Sequence, residues 1–140
     1  MNWLTFIFFI LLLIISETSA RQQTFELVYD SSDILVGQDS TGSFNGSIIN
    51  ISNDTIPIVV FRRESNLPNG WSSSICLETV CYHESVDSAL VELGTGDTIS
   101  LGVLLWTHGL GEGTIQLEVY DLGYPDGVEL LELNIESAQM

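Results

Sequence analysis

The chain has no lysine and little positive charge of any kind. Three arginines face nineteen aspartates and glutamates, so the 140 residues carry a formal net charge of −16. Nucleic-acid backbones and anionic membrane surfaces repel a protein of this charge, which excludes nucleic acid as a partner. Because the acidic residues are scattered along the chain, they favour a role in solubility over a cation site or a basic partner.

Long apolar runs are also scarce, and the one at the N-terminus is short. It extends from Trp3 to Ile15 and is followed by small and polar residues that end at Ala20. A membrane-spanning helix needs roughly 20 apolar residues, whereas this pattern is typical of a signal peptide. We predict a signal peptide over residues 1–20, cleavage before Arg21 and no membrane span afterwards. Eighteen acids and three arginines then remain, a net charge of −15.

Residues 21–140 lack a sustained helical period and are dominated by alternation. Leu131, Leu133 and Ile135, for example, alternate with acidic and amide side chains, as in a strand with one buried face. An apolar phase shift between Ile48 and Ile49 predicts a β-bulge. Turn-forming clusters separate the alternating segments, so we predict one all-β domain, an antiparallel immunoglobulin-like β-sandwich of about seven strands. The predicted strands are residues 24–30, 43–52, 56–64, 86–93, 98–106, 113–121 and 129–137.

The chain has only two cysteines, Cys76 and Cys81, separated by four residues. A close pair in an exported protein is normally oxidised, so we predict a disulfide that shapes one long loop, residues 64–85. Such a small ring stabilises by only about 2 kcal/mol. Two alternatives stay open. One is a zinc site in which His83 and His108 join both cysteines. The other is a copper site formed by Cys81 and both histidines on a cupredoxin-like sandwich.

A Leu-Pro-x-Gly-Trp motif precedes the cysteine pair, which ends in Cys-Tyr and is followed by a strand and a glycine-rich turn. With this motif, residues 44–136 resemble an immunoglobulin-like or fibronectin-III-like module of secreted and surface proteins of Gram-negative bacteria. The resemblance implies a paired disulfide and no catalytic residues. Such modules often precede a C-terminal sorting module, which we do not find, so periplasm, medium and cell surface all stay open. The matching positions are Leu67, Pro68, Gly70, Trp71, Cys76, Cys81, Tyr82 and the turn Gly94–Asp97.

Other candidate sites are weaker. The acidic segments Asp30–Asp33 and Asp121–Asp126 contain carboxylates of the kind that calcium prefers, but neither matches a full ligand template. Ser72–Ser74 lies near His83 in sequence without the Gly-x-Ser-x-Gly elbow of a hydrolase. Gly109–Gly113 lies between two strands, which predicts a hairpin turn instead of a phosphate-binding loop. We predict no catalytic residues, no cofactor-binding residues and no metal ligands.

Asparagines supply three formal glycosylation sequons, at Asn45, Asn50 and Asn53. Strand residues often produce such sequons by chance, and the bacterial resemblance argues against modification.

The sequence as a whole predicts a secreted or periplasmic, non-enzymatic module for binding, adhesion or structure. Its partner would be a protein or a glycan of unknown identity. The end loops, especially residues 64–85, would supply the contact surface. The alternative function is an extracytoplasmic metal protein built on one of the two metal sites above.

Overall fold

Two five-stranded sheets face each other across an apolar core. A computed structural model describes residues 23–140, with only the backbone of Glu64, and the predicted signal peptide lies outside this range. Within residues 23–140, no helix is long and apolar enough to cross a membrane. The strands are β1 (Phe25–Tyr29), β2 (Asp33–Gly37), β3 (Thr41–Asn50), β4 (Ile56–Asn66), β5 (Ser72–Leu77), β6 (Val80–Cys81), β7 (Ser88–Leu93), β8 (Thr98–Trp106), β9 (Gly111–Asp121) and β10 (Glu129–Ala138).

The strand order confirms the predicted immunoglobulin-like sandwich. Sheet A has the order β1-β3-β8-β5-β6, and sheet B has the order β2-β10-β9-β4-β7. Every neighbouring pair is antiparallel except β2 and β10, which run parallel. Most connections cross from one sheet to the other, so the two sheets are linked many times along the chain.

Alternation along each strand builds the core. Ile115, Leu117 and Val119 of β9 are fully buried, and Leu131 and Leu133 of β10 pack into the same layer. Their sequence neighbours point outward, as the period of two requires. Burying each such side chain contributes about 1.5–3 kcal/mol relative to exposure.

Three strands were not predicted. β2 begins at Asp33, the last residue of the acidic segment Asp30–Asp33, and β5 and β6 lie inside the predicted long loop 64–85. The predicted bulge is also wrong, because Ile48 and Ile49 pair in unbroken register with Ile99 and Thr98. The register shift lies instead in β4, between Arg62 and Glu64.

Each end of the sandwich is closed by three loops. The Trp71 end consists of residues 38–40, 67–71 and 107–110. The Asn50 end consists of residues 51–55, 94–97 and 122–128. The described chain starts near the Asn50 end, where Phe25 pairs with Asn50, and β10 finishes at the Trp71 end.

A buried amide organises the Asn50 end. Asn50 is 1% exposed. Its Nδ2 donates to the carbonyl oxygens of Asp54, Leu93 and Gly94 at 2.7, 2.9 and 3.0 Å. Its Oδ1 accepts from the backbone N–H and the hydroxyl of Ser52. One side chain therefore joins the β3–β4 loop to the β7–β8 turn.

Candidate functional site

The two cysteines form a disulfide inside a tight hairpin. Cys76 of β5 lies directly opposite Cys81 of β6, with a Cα–Cα distance of 4.0 Å. Glu78 turns the chain with a φ of 54°. The predicted disulfide is therefore present, but it joins two strands and does not close a long loop.

This bond overturns both metal alternatives, because a thiolate must be free to ligate zinc or copper. The histidines are also engaged in different places. His83 Nδ1 lies 2.8 Å from the hydroxyl of Ser85, while His108 Nδ1 lies 3.1 Å from Asp39 Oδ1 at the Trp71 end.

The disulfide lies on the outer surface of sheet A, beside a shallow groove of about 560 Å³. Gly102 forms part of its floor, since a Cβ there would lie 3.4 Å from the Cβ of Cys76. Small polar side chains from β3 and β8, including Ser43, Asn45 and Ser100, line it together with apolar side chains such as Val28 and Tyr29 of β1. This surface therefore mixes hydroxyl and amide groups with exposed apolar side chains.

A buried arginine connects the two sheets beside this hairpin. The Arg62 side chain is 9% exposed. Its guanidinium donates to the carbonyl and hydroxyl oxygens of Ser73 at 2.9 and 2.7 Å, to Glu84 O at 2.6 Å and to Asp87 Oδ1 at 2.7 Å. A buried charge is costly unless it is paired and hydrogen-bonded, and here both conditions hold.

The serine cluster is structural as a consequence. Ser73 and Ser74 are buried in β5, and the Ser73 hydroxyl accepts from Arg62. His83 bonds to its own neighbour Ser85 instead of to a serine of this cluster. The nucleophile–base pair that a serine hydrolase requires is not formed by these residues.

Hydrogen bonds hold the three loops of the Trp71 end together. Trp71 is 8% exposed and its Nε1 donates to the carbonyl oxygen of His108 at 2.8 Å. Asp39 Oδ1 accepts from the backbone N–H of Gly109 at 2.8 Å. Gly70 has a φ of 86°, and a Cβ there would lie 3.3 Å from the His108 ring. Residues 64–85 therefore supply strands and a cap, which corrects the long contact loop predicted from sequence.

The two acidic segments serve the chain itself. Asp121 is 3% exposed; its carboxylate accepts from Thr24 Oγ1 at 3.0 Å and from Gly123 N at 2.9 Å. In the other segment the backbone N–H of Asp33 donates to the Ser31 hydroxyl. Across residues 23–140, no three histidine, cysteine, aspartate or glutamate side chains are grouped as metal ligands.

The glycine-rich segment Gly109–Gly113 is not a hairpin turn. It leads from β8 in sheet A to β9 in sheet B, and its last three residues belong to β9. Gly113 is required for close packing, since a Cβ there would lie 2.9 Å from the Leu67 side chain and 3.1 Å from Asn66 O.

The outer surface of sheet B carries a group of apolar side chains, which we call the apolar band. Val59 pairs with both Leu90 and Tyr120, so the band crosses β7, β4 and β9 in one row. Leu90 is 57% exposed and Leu130, on β10, is 70% exposed. Sequence reasoning missed the band because its members come from five separate segments. The band consists of Val59, Phe61, Leu90, Tyr120, Leu122 and Leu130.

Acidic groups surround the apolar band. Glu92 on β7 and Glu132 on β10 are exposed at its margins. Glu118, between Phe61 and Leu130 in the register, is paired with Arg63 at 2.8 Å. An exposed apolar area rimmed by charge is typical of a protein-interaction surface.

No protein-family model matches the sequence, and no curated protein matches it either. Solved structures do match, at low identity. The N-terminal domain of PorA is similar with a TM-score of 0.58 and 18% identity, over 81% of this chain and 95% of that one. The PapD-like domain 7 of human CEP192 gives 0.51 and 12%, over 89% and 92%. The secreted serine protease VesC of Vibrio cholerae gives 0.54 and 13%, over 84% of this chain but 24% of that one. These similarities show the fold alone, an immunoglobulin-like β-sandwich.

Proposed function

We propose that this chain is a non-enzymatic, extracytoplasmic module that binds another protein through the apolar band. The observation that carries the proposal is the exposure of Leu90, Leu122 and Leu130 on a sheet face whose remaining positions are largely polar. Water contact with these side chains is unfavourable by roughly 25 cal/mol per Å² of apolar surface, so covering them would stabilise a complex.

Other surfaces of the described domain fit binding less well. The loops of the Trp71 end are tied to one another by Trp71, Asp39 and His108, and the groove on sheet A is shallow and lined by a mixture of polar and apolar side chains. Interface cores depend on apolar and aromatic side chains that become fully buried. Phe61 and Tyr120 of the apolar band supply such aromatic rings, and both are only partly buried in the free domain.

Two features support an extracytoplasmic location. The disulfide is partly exposed on the surface of sheet A. Disulfides persist in the periplasm and outside the cell, whereas the cytosol keeps cysteine pairs reduced. The predicted signal peptide over residues 1–20 supports the same location. The resemblance to modules of secreted bacterial proteins agrees with both.

Site-specific photocrosslinking in the native host tests the proposal. A photoreactive amino acid placed at Leu130, in the apolar band, is compared with the same amino acid at Leu110, which is 59% exposed in the β8–β9 loop. We expect a discrete protein adduct from position 130 only. The adduct should disappear when Leu90→Ser is added, and persist with Leu35→Ser, a change at a side chain that is 60% exposed on β2.

Equal adducts at positions 130 and 110, or an adduct indifferent to Leu90→Ser, would overturn the assignment of the surface. A reproducible hydrolytic activity that one loop substitution abolishes would overturn the non-enzymatic part.

A further inference from the structure

Strand β7, one of the two edge strands of sheet B, lies beside the apolar band and indicates how a partner could bind and what its chemistry would be. Resting on the proposed function, we propose that the partner contributes an extended, basic segment, which adds to β7 as a sixth strand of sheet B. Its apolar side chains would cover Leu90, and its lysine or arginine side chains would meet the acids at the margin.

Every second residue of β7 has backbone N–H and C=O groups that do not bond to β4. Arg62 N donates to Asp87 O at 2.7 Å, which makes this a hydrogen-bonded pair of the β4–β7 ladder. In an antiparallel ladder such pairs alternate, so Ala89 and Val91 bond to β4. The N–H and C=O groups of Ser88, Leu90 and Glu92 then point away from β4. Among residues 23–140, β7 has no neighbour on that side.

The side chains at this edge match the backbone arrangement. Leu90 and Glu92 face outward on the same surface as the apolar band, and Leu90 lies directly opposite Val59. A strand paired with β7 would place alternate side chains on that surface, one beside Leu90 and the next beside Glu92. The edge therefore favours a segment in which apolar and basic residues alternate at every second position.

Charge decides between a foreign segment and a second copy. The domain from residue 21 onward has a net charge of −15 and no lysine. Its arginines at 62 and 63 are engaged with Asp87 and Glu118. Two copies would bring two domains of net charge −15 together, and neither has a lysine to pair with Glu92 of the other. A lysine or arginine in the same place gains attraction and a faster association.

A labelled peptide, acetyl-SKTVTKTVS-amide, is the probe, and fluorescence anisotropy with residues 21–140 is the measurement. It has lysine and valine alternating on one face. The control peptides SETVTETVS and SKTSTKTSS replace the lysines or the valines. We expect the probe to bind at least tenfold more tightly than either control, and to weaken as salt rises from about 50 to about 500 mM.

The decisive variant is Leu90→Pro, compared with Leu90→Ala. Proline removes only the edge N–H, which β4 does not use, and proline is tolerated at edge positions of this kind. We expect affinity for the probe to fall about tenfold further in Leu90→Pro than in Leu90→Ala, since hydrogen bonds to the edge are lost. Hydrogen exchange of the unmutated domain gives an independent readout. The amides of Ser88, Leu90 and Glu92 should gain protection on binding.

Equal affinity for the acidic control peptide would overturn the charge assignment. Equal affinity for SKTSTKTSS would reduce the interaction to non-specific charge attraction, which also overturns the proposal. Indifference to Leu90→Pro without new amide protection would overturn strand addition, and so would a failure of the probe to bind at all. In each of these cases a crosslink at position 130 that depends on Leu90 would leave the proposed function intact.

Discussion

Replacing Asn50 by alanine should lower the free energy of unfolding by about 2–4 kcal/mol. Four protons are bonded through this amide: two from its own Nδ2, shared among three carbonyl oxygens, and one each from the N–H and hydroxyl of Ser52. Each such bond contributes about 0.5–1.5 kcal/mol net, which gives about 2–6 kcal/mol. The lower part of this range applies because Gly94 O also accepts from Asp97 N, and Ser52 Oγ also donates to Asp54 O.

Urea unfolding, followed by tryptophan fluorescence, measures the change. Asn53→Ala is the matched control, because Asn53 is an exposed asparagine of the same loop and should change stability by less than about 0.5 kcal/mol. A loss below about 1 kcal/mol for Asn50→Ala, or an equal loss for both variants, would refute the assignment of Asn50 as the organiser of this end.

The variant Asn50→Asp tests the same reasoning through the pH dependence of the free energy of unfolding. The new carboxylate would face three carbonyl oxygens in a buried position, which raises the pKa of the carboxyl group in the folded state above its unfolded value. The folded state then binds the extra proton more tightly, so this variant should be less stable than Asn50→Ala at neutral pH. The difference should shrink as the pH falls through the raised folded pKa. A pH-independent difference would contradict the geometry.

Three further predictions concern the rest of the domain. Replacing both cysteines by alanine should lower the free energy of unfolding by about 2 kcal/mol, measured as a shift of the urea midpoint, because the closed ring is small; an unchanged midpoint would count against it. Arg62→Lys should cost about 2–3 kcal/mol, since one ammonium cannot replace the bonds that the guanidinium makes to Ser73, Glu84 and Asp87, whereas Arg63→Lys at the exposed neighbour should cost less than about 0.5 kcal/mol. Gly113→Ala should cost about 1–3 kcal/mol through overpacking, and an equal cost for Gly127→Ala, where the added Cβ meets only an ordinary contact at 3.5 Å, would show that packing is not the cause.

The sequence predicted the strands whose one face is apolar and whose other face is polar. β10 is such a strand, and its buried residues Leu131, Leu133 and Ile135 were identified from alternation alone. β5 was missed because Ser73 and Ser74 are buried serines, and burial of polar side chains depends on partners such as Arg62 that lie elsewhere in the chain. The apolar phase shift at Ile48 and Ile49 had a related cause.

Asn50, the next residue after that shift, is a polar residue on the inward face. Its neighbour Ile49 points outward, which imitated a bulge in the sequence pattern. The true irregularity in β4 lies between Arg62 and Glu64, where three consecutive charged residues show no alternation of apolar and polar side chains and so carry no register information. The apolar band could not be predicted either, because Val59, Leu90 and Leu130 share one surface only when β7, β4, β9 and β10 join one sheet.

The parallel pairing of β2 with β10 has a mechanical consequence. Tension applied at Asp33 and at Ala138 would pull β2 toward the Asn50 end and β10 toward the Trp71 end, in opposite directions along their length. The five register pairs of this ladder, Asp33 to Gly37 against Asn134 to Ala138, would then bear the force together instead of one after another. A domain held in this way would resist stretching far better than a hairpin that opens from one end.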